Sequence, residues 1–368
     1  MTARSRTAVT IAAATVLLTG WAQPATAKIT GWQLEAIKAA QAQAISTGEG
    51  VVVAVVDSGV GKHPDLEGHV LDGKSFVEED PRRDRAGHGT DMAGQILSVA
   101  PGAKILPVQV TSGGAEFVAG PMVEGIRWAA DSGAKIINVS LTGGSASDTE
   151  IEAVKYALGK GAVVIAGTGN DPSAGVGAPA NLPGVVAVAG VGQDGKIWEK
   201  SATGPGTVLV APAVDVMGIT PDNPGTDPGY TKGSGTSIAT ALVSGVAALV
   251  AAKYPGISGP DLINRLVSTA ADAGAPGRDD VYGTGLVDAE AALTKDVPHV
   301  GENPLGDPAN ALSGAAEDRV EQDRSLLVKL VIVPIAAIVL LGVLVLVIVL
   351  VVRGKRRRRI PPGPPGRY

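Results

Sequence analysis

The chain has 368 residues, 45% of them hydrophobic, a net charge of −5 and no cysteine. That length carries one large domain with appendages, and the lack of cysteine excludes disulfides, thiol nucleophiles and cysteine-ligated zinc. The charge is segregated: residues 1–27 carry +2, residues 353–368 carry +7 and the body between them −14, which argues against nucleic acid as a partner.

Residues 1–27 open with Arg4 and Arg6, run apolar over 8–18 and end in Ala25-Thr26-Ala27. This is the pattern of a secretory signal cleaved after Ala27. An uncleaved anchor is the alternative, although the apolar stretch is short for a span. Residues 32–44 read as a helix. Residues 51–56 form a β-branched apolar run ending at Asp57, as buried parallel strands do. Strands follow at 104–110, 134–141, 162–166, 185–191 and 207–211. Helices are expected at 121–132, 148–160, 238–253 and 259–269. Strand–helix alternation predicts an α/β body with a mostly parallel sheet flanked by helices.

Beyond the body, residues 297–325 are rich in Pro, Gly, Ala and acidic residues and read as a linker or stalk, with one turn of helix at 315–324. Residues 330–352 are 23 positions without a charge, enough to cross a bilayer with some tilt. Pro334 falls in the first turns, where a span tolerates it. The basic run from Arg353 to Arg359 orients the segment with the body outside and the tail inside. The tail can also bind anionic lipid. The expected order is therefore signal 1–27, body 28–296, linker 297–325, transmembrane helix 326–352 and cytoplasmic tail 353–368.

In open parallel sheets, ligands bind beyond the carboxyl ends of strands. Asp57, Ser140 and Asn170 all fall at such ends. His88 stands between Gly87 and Gly89, which allow close approach of backbone or substrate. His63 and His69 lie in a polar loop and His299 in the linker, without such a setting. Ser237, in Gly235-Thr236-Ser237, opens the apolar helix at 238–253, near its unpaired N–H groups. A capping serine would look the same, and Asp57 alone would pass as a turn cap. Together, Asp57, His88 and Ser237 provide an orienting carboxylate, a base and a hydroxyl nucleophile, in the chain order of subtilisin.

The chain resembles the subtilisin family of serine proteases. The resemblance rests on VVVAVVDSGV (51–60), HPDL (63–66), GHGTDMAG (87–94), INVSLTGG (137–144), VVIAGTGN (163–170), APANLPGVVAVAGV (178–191), GTSIATALVSGVAAL (235–249) and YGTGLVDAEAAL (282–293). It covers about residues 40–293. It implies the three-layer subtilisin fold, a triad of Asp57, His88 and Ser237, and an oxyanion donated to by Asn170 and the Ser237 N–H. Ser140, Leu141, Thr142 and Gly143 resemble the edge that pairs with the substrate backbone. Gly167, Thr168 and Gly169 would line the primary specificity pocket, and Ala178-Pro179 matches a position where the family can carry a cis peptide. No cofactor is implied, and no acidic cluster reads as a metal site.

Three positions depart from the family pattern. Ala241 stands where a proline is usual, and Ile238 stands where a methionine is common. Asp91 replaces an uncharged residue or histidine three positions after His88; it reads as a solvent-facing Asp in a helix's first turn, or as a neighbour that raises the histidine's pKa. Only 29 residues separate Ala27 from Asp57, too few for a separate folded prodomain. This architecture resembles the mycosins, membrane-anchored proteases associated with type VII secretion, although typical mycosins carry cysteines. That resemblance implies an extracytoplasmic endopeptidase acting on secreted or membrane proteins. The alternative is a structural subunit of a secretion complex whose proteolysis is dispensable.

Overall fold

The computed structural model describes residues 29–77, 80–113, 119–223, 225, 227–311, 329 and 333–357. Seven strands form one sheet: β1 (Val52–Asp57), β2 (Lys74–Ser75), β3 (Lys104–Gln109), β4 (Ile136–Val139), β5 (Val163–Gly167), β6 (Val186–Val191) and β7 (Leu209–Pro212). Their order is β2-β3-β1-β4-β5-β6-β7 and every pairing is parallel. Val53 lies opposite Ile105 on one side and Ile136 on the other. Apart from the short β2, these strands are apolar and almost wholly buried, as strands covered on both faces must be. The chain builds outward from β1 to both sides. Its carboxyl end, at Asp57, therefore opens on a crevice between diverging connections.

Short helices α1 (Trp32–Ala36) and α2 (Ala39–Gln43) precede the sheet. Helices α3 (His88–Val99), α4 (Ala119–Asp131), α5 (Asp148–Gly159), α6 (Thr236–Lys253), α7 (Gly259–Ser268) and α8 (Ala289–Thr294) complete the body. The sequence motif of α5 is a capping box, Ser147 and Glu150 each satisfying the other's backbone N–H. Helix α6 is apolar on every side because it is covered on every side: Thr236 through Ala251 are buried. By length and composition it could cross a membrane, yet it is the central core helix, packed on α3 and on β4 to β7. Gly245 permits the α3 crossing, since a Cβ there would lie 2.6 Å from Val99 Cβ.

Four features differ from the sequence expectation. The helix expected over residues 32–44 is two helices, broken where Lys38 takes left-handed backbone geometry (φ 57°). That turn brings Lys38 Nζ to 2.6 Å from Asp288 Oδ2, while Asp288 Oδ1 accepts the Ala291 N–H and caps α8. The break over residues 32–44 coincides with this long-range ion pair. An antiparallel hairpin, β8 (Val216–Thr220) with β9 (Gly229–Gly233), leads from β7 into α6; its exposed, glycine-bounded second strand lacks the buried-strand pattern.

The linker starts as part of the body rather than as a free stalk. Asn264 donates to Pro298 O, Val300 N donates to Asp261 Oδ1, and Gly184 N donates to Leu305 O. Leu305 and Ala311 pack on the core. The helical turn expected at 315–324 lies outside the described residues, as does the proposed signal at 1–27. Lastly, α9 (Val333–Arg357) runs 25 residues and ends five positions beyond the expected transmembrane segment 326–352, whose first residues lie largely outside the described ones. Leu340, Leu341 and the large apolar side chains at 344–352 are 41–70% exposed.

Candidate active site

Asp57 ends β1 and is fully buried. Its Oδ1 accepts the Ser58 N–H at 2.7 Å and faces His88 Nδ1 at 2.8 Å. A carboxylate can only accept, so Nδ1 carries the proton and Nε2 is left as the basic nitrogen. The approach depends on Gly89: a Cβ there would overlap Gly59 O and press on Asp57 Cβ. Gly87 caps α3 with φ 78°, turning the chain so that His88 starts the helix at the crevice.

Sequence reading missed a second carboxylate, Asp84, which is fully buried. Its Oδ1 accepts from Ser58 Oγ at 2.9 Å and Gly87 N at 2.8 Å. Its Oδ2 accepts from Thr90 N at 2.8 Å and Thr90 Oγ1 at 2.6 Å. Ser58 Oγ in turn accepts the Gly89 N–H at 3.0 Å. This network fastens the first turn of α3 to the end of β1. An Asp four residues before a glycine-flanked histidine was the only signal, and nothing local distinguishes it from a solvated loop residue. Burial pushes the Asp84 carboxyl up, against the hydrogen bonds from Thr90 and Ser58.

Asp91 is half-buried rather than solvent-facing. Its Oδ1 accepts from Ile219 N of β8 at 3.1 Å and from Gln95 Nε2 at 3.2 Å. It lies so close over Gly218 that no side chain fits there. Burial raises its pKa, while the Ile219 and Gln95 hydrogen bonds oppose the rise. His88 feels all three carboxylates. Burial disfavours its charge, but Asp57 by charge and hydrogen bond, then Asp91 and Asp84, outweigh this and raise it to about 9.

Ser237 lies in the first turn of α6, 8% exposed. It is not the helix cap: the N-cap is Gly235, which makes no side-chain cap bond. The Thr236 N–H is instead taken by Asn170 Oδ1 at 2.9 Å, and Thr236 Oγ1 also donates to it, at 3.0 Å. Two donors on Oδ1 fix the amide so that Nδ2 is the free end. A Cβ placed on Gly235 would be 2.9 Å from Ser237 Oγ and 3.8 Å from Asn170 Nδ2. Hydroxyl and amide thus converge on one small space in front of Gly235. No hydrogen bond joins Ser237 Oγ to His88 among the described residues; such contacts tighten when substrate binds.

Of the predicted substrate-binding residues, several face inward. Ser140 Oγ donates to Ser237 O at 3.1 Å and accepts from Asn138 Nδ2 at 3.0 Å, so its side chain props the Ser237 turn. Leu141 and Thr168 are fully buried; neither side chain reaches the cleft. Thr142 is half-buried, and Gly143 bridges to Ala178, with Gly143 N donating to Ala178 O at 2.9 Å. The Ala178–Pro179 bond is cis. Gly167 and Gly169 border the same space as Thr142. No cluster of metal-ligating side chains occurs among the described residues.

A buried carboxylate–imidazole pair at the end of a parallel strand is the setting in which a serine hydroxyl becomes nucleophilic. Fold and site together define the class of serine endopeptidases. The subtilase family model matches residues 48–285. Subtilisin BL of Lederbergia lenta is 37% identical over 256 residues, 67% of this chain and 91% of that protein. Fervidolysin of Fervidobacterium pennivorans, a keratinolytic enzyme, superposes with TM-score 0.66 at 33% identity, over 73% of this chain. The match covers only 46% of fervidolysin. MycP1 from the ESX-1 type VII secretion system superposes with TM-score 0.66 at 27% identity, over 75% of this chain and 89% of that one. The chain belongs to the subtilase family and is a serine endopeptidase with an Asp–His–Ser triad.

Proposed function

We propose that Asp57, His88 and Ser237 are the triad, that Asn170 is the oxyanion donor, and that the enzyme is a membrane-anchored extracytoplasmic endopeptidase. The observation that carries the site is the 2.8 Å Asp57–His88 pair, together with an Asn170 amide locked beside Ser237. In acylation, the Ser237 Oγ–H bond breaks, the proton passes to His88 Nε2, and Oγ bonds the scissile carbonyl carbon. The carbonyl oxygen takes the negative charge between Asn170 Nδ2 and the Ser237 N–H. His88 then returns the proton to the leaving amine as the C–N bond breaks. Water, deprotonated by the same imidazole, releases the acid and restores Oγ–H. Asp57 holds the Nδ1–H tautomer and stabilises the imidazolium throughout.

The anchor reading rests on α9, whose exposed apolar stretch gives way to Arg353, Lys355, Arg356 and Arg357. A helix of 25 residues is about 38 Å long, enough for a hydrocarbon core of about 30 Å with tilt. With a cleaved signal at 1–27, the catalytic body lies outside and the basic tail inside. Likeness to MycP1 supports a mycosin-like part in type VII secretion, with secreted or membrane proteins as substrates. The test is fluorophosphonate labelling of the detergent-solubilised, signal-processed protein beside Ser237→Ala. Labelling of the wild type alone is expected. Equal labelling of both proteins refutes the nucleophile assignment.

A further inference from the structure

Three backbone segments enclose the space beside the acylation site. They are residues 141–144 after β4, residues 167–170 at the end of β5, and Gly177-Ala178. Gly177 N donates to Thr168 O at 3.1 Å, and Ala178 N donates to Gly144 O at 2.9 Å, so the three are tied into one trough. Gly169 precedes Asn170. The trough thus adjoins the space shared by Ser237 and Asn170 and is the room open to the side chain of the acylating residue (P1).

Glycines normally leave room in such a trough, but here the room is taken. The open face of Gly167 is filled from behind by Thr240 Oγ1 and Thr236 Oγ1, which would lie 3.1 and 3.2 Å from a Cβ there. The faces of Gly169 and Gly177 are filled by a single group, Thr142 Cγ2. It would lie 3.3 Å from a Cβ on Gly169, with Ala202 Cβ at 3.6 Å from the same point. On Gly177 a Cβ would overlap Thr142 Cγ2 and Gly143 O outright. The Thr142 rotamer is pinned: its Oγ1 donates to Gly167 O at 2.9 Å, which turns the methyl into the trough. A threonine's χ1 is stiff, so the methyl does not readily swing aside.

We propose that Thr142 is the specificity-determining residue of this protease: its methyl plugs the trough between Gly169 and Gly177 and restricts P1 to glycine, alanine or serine. The proposal rests on Ser237 and Asn170 being the acylation site. Extended, small-residue-rich segments of secreted proteins are the corresponding substrate class, because such segments present small side chains without unfolding a core.

The test uses the full detergent-solubilised chain and a set of internally quenched peptides identical except for Ala, Leu or Phe at P1. Each protein is first titrated with a small alkyl fluorophosphonate, which reports a working Ser237 without needing a P1 side chain. Pockets discriminate about 10–200-fold per methylene. The wild type is therefore expected to cleave the Ala peptide at least 100-fold more efficiently, by kcat/KM, than the Phe peptide. Thr142→Ser keeps the hydroxyl and its bond to Gly167 O and deletes only the methyl. It should raise the Leu-to-Ala ratio of kcat/KM about 10-fold or more, and Thr142→Gly should raise the Phe-to-Ala ratio further. A wild type that labels and cleaves Phe as well as Ala overturns the proposal. So does a labelled Thr142→Ser that gains nothing for Leu. A folded wild type that fails to label overturns the site on which the proposal depends, a separate result.

Discussion

The pH profile should carry the signature of three carboxylates around one imidazole. Asp57 faces His88 from β1, Asp84 from the preceding loop and Asp91 from the same helix. The facing first turn of α6 presents only the uncharged Thr236 and Ser237, and β8 presents no charged side chain. With its pKa at about 9, His88 is neutral in only about 1% of molecules at pH 7, so kcat/KM should rise about tenfold per unit to a bend near pH 9. The shift from 6.5 amounts to about 3 kcal/mol in favour of the charged pair in the folded state. Because the folded pKa is raised, that stabilisation is full below pH 6.5 and is lost as pH rises through 9. Activity is thus gained over the window in which the ion pair weakens. Asp91→Asn removes one charge and keeps an oxygen for the Ile219 N–H. It should move the acid limb down by about 0.5–1 unit, the scale of a nearby charge in a partly screened site. The assay is kcat/KM against pH with a P1 alanine peptide, with urea unfolding at pH 6 and 9 alongside. A wild-type limb centred at or below pH 6.5, or an Asp91→Asn limb that does not move, refutes the electrostatic reasoning.

Asn170→Ala should lower kcat by about 10²–10³ with little change in KM, the cost of losing such a donor in a subtilisin; an unchanged kcat in active-site-titrated protein would remove Asn170 from the mechanism. Gly235→Ala should leave the fold intact, because φ is 172° and extended. Its Cβ, 2.9 Å from Ser237 Oγ, should slow fluorophosphonate labelling about 100-fold or more; labelling at the wild-type rate would contradict the placement of the nucleophile. Gly245→Ala should cost about 1–3 kcal/mol in urea unfolding, as the new Cβ meets Val99 and the Ile96 carbonyl at the α3–α6 crossing. In a deletion strain, Ser237→Ala at normal protein levels should fail to restore secretion; full restoration would mean that the protein serves as a scaffold.

Much of the architecture can be read locally. The run before Asp57, the glycines around His88 and the apolar stretch after Ser237 are each short-range patterns whose periods and turn residues carry physical meaning. They place each motif on a strand end or a helix start, and strand–helix alternation supplies the layers. Such patterns state what an element needs but not what meets it. Asp84 looks like any loop aspartate until Ser58, Gly87 and Thr90 converge on it. Lys38 lies within a helical pattern, and the partner it meets at the break, Asp288, is 250 residues away.

Helix α6 shows the same division most plainly. Its composition dictates that water must be excluded from every face, and that requirement is written in residues 236–253 alone. Whether lipid or protein does the excluding is decided by α3 and four strands that pack around it. Asp91 carries its charge in the sequence, but its burial comes from β8 folding over it. Thr142 has a methyl in any context; it becomes a plug only because Gly169 and Gly177 are brought to its two sides. Covalent identity and local periodicity are properties of the chain. Burial, field and free space are properties of neighbours distant in sequence, and they exist only once the sheet has brought those neighbours together.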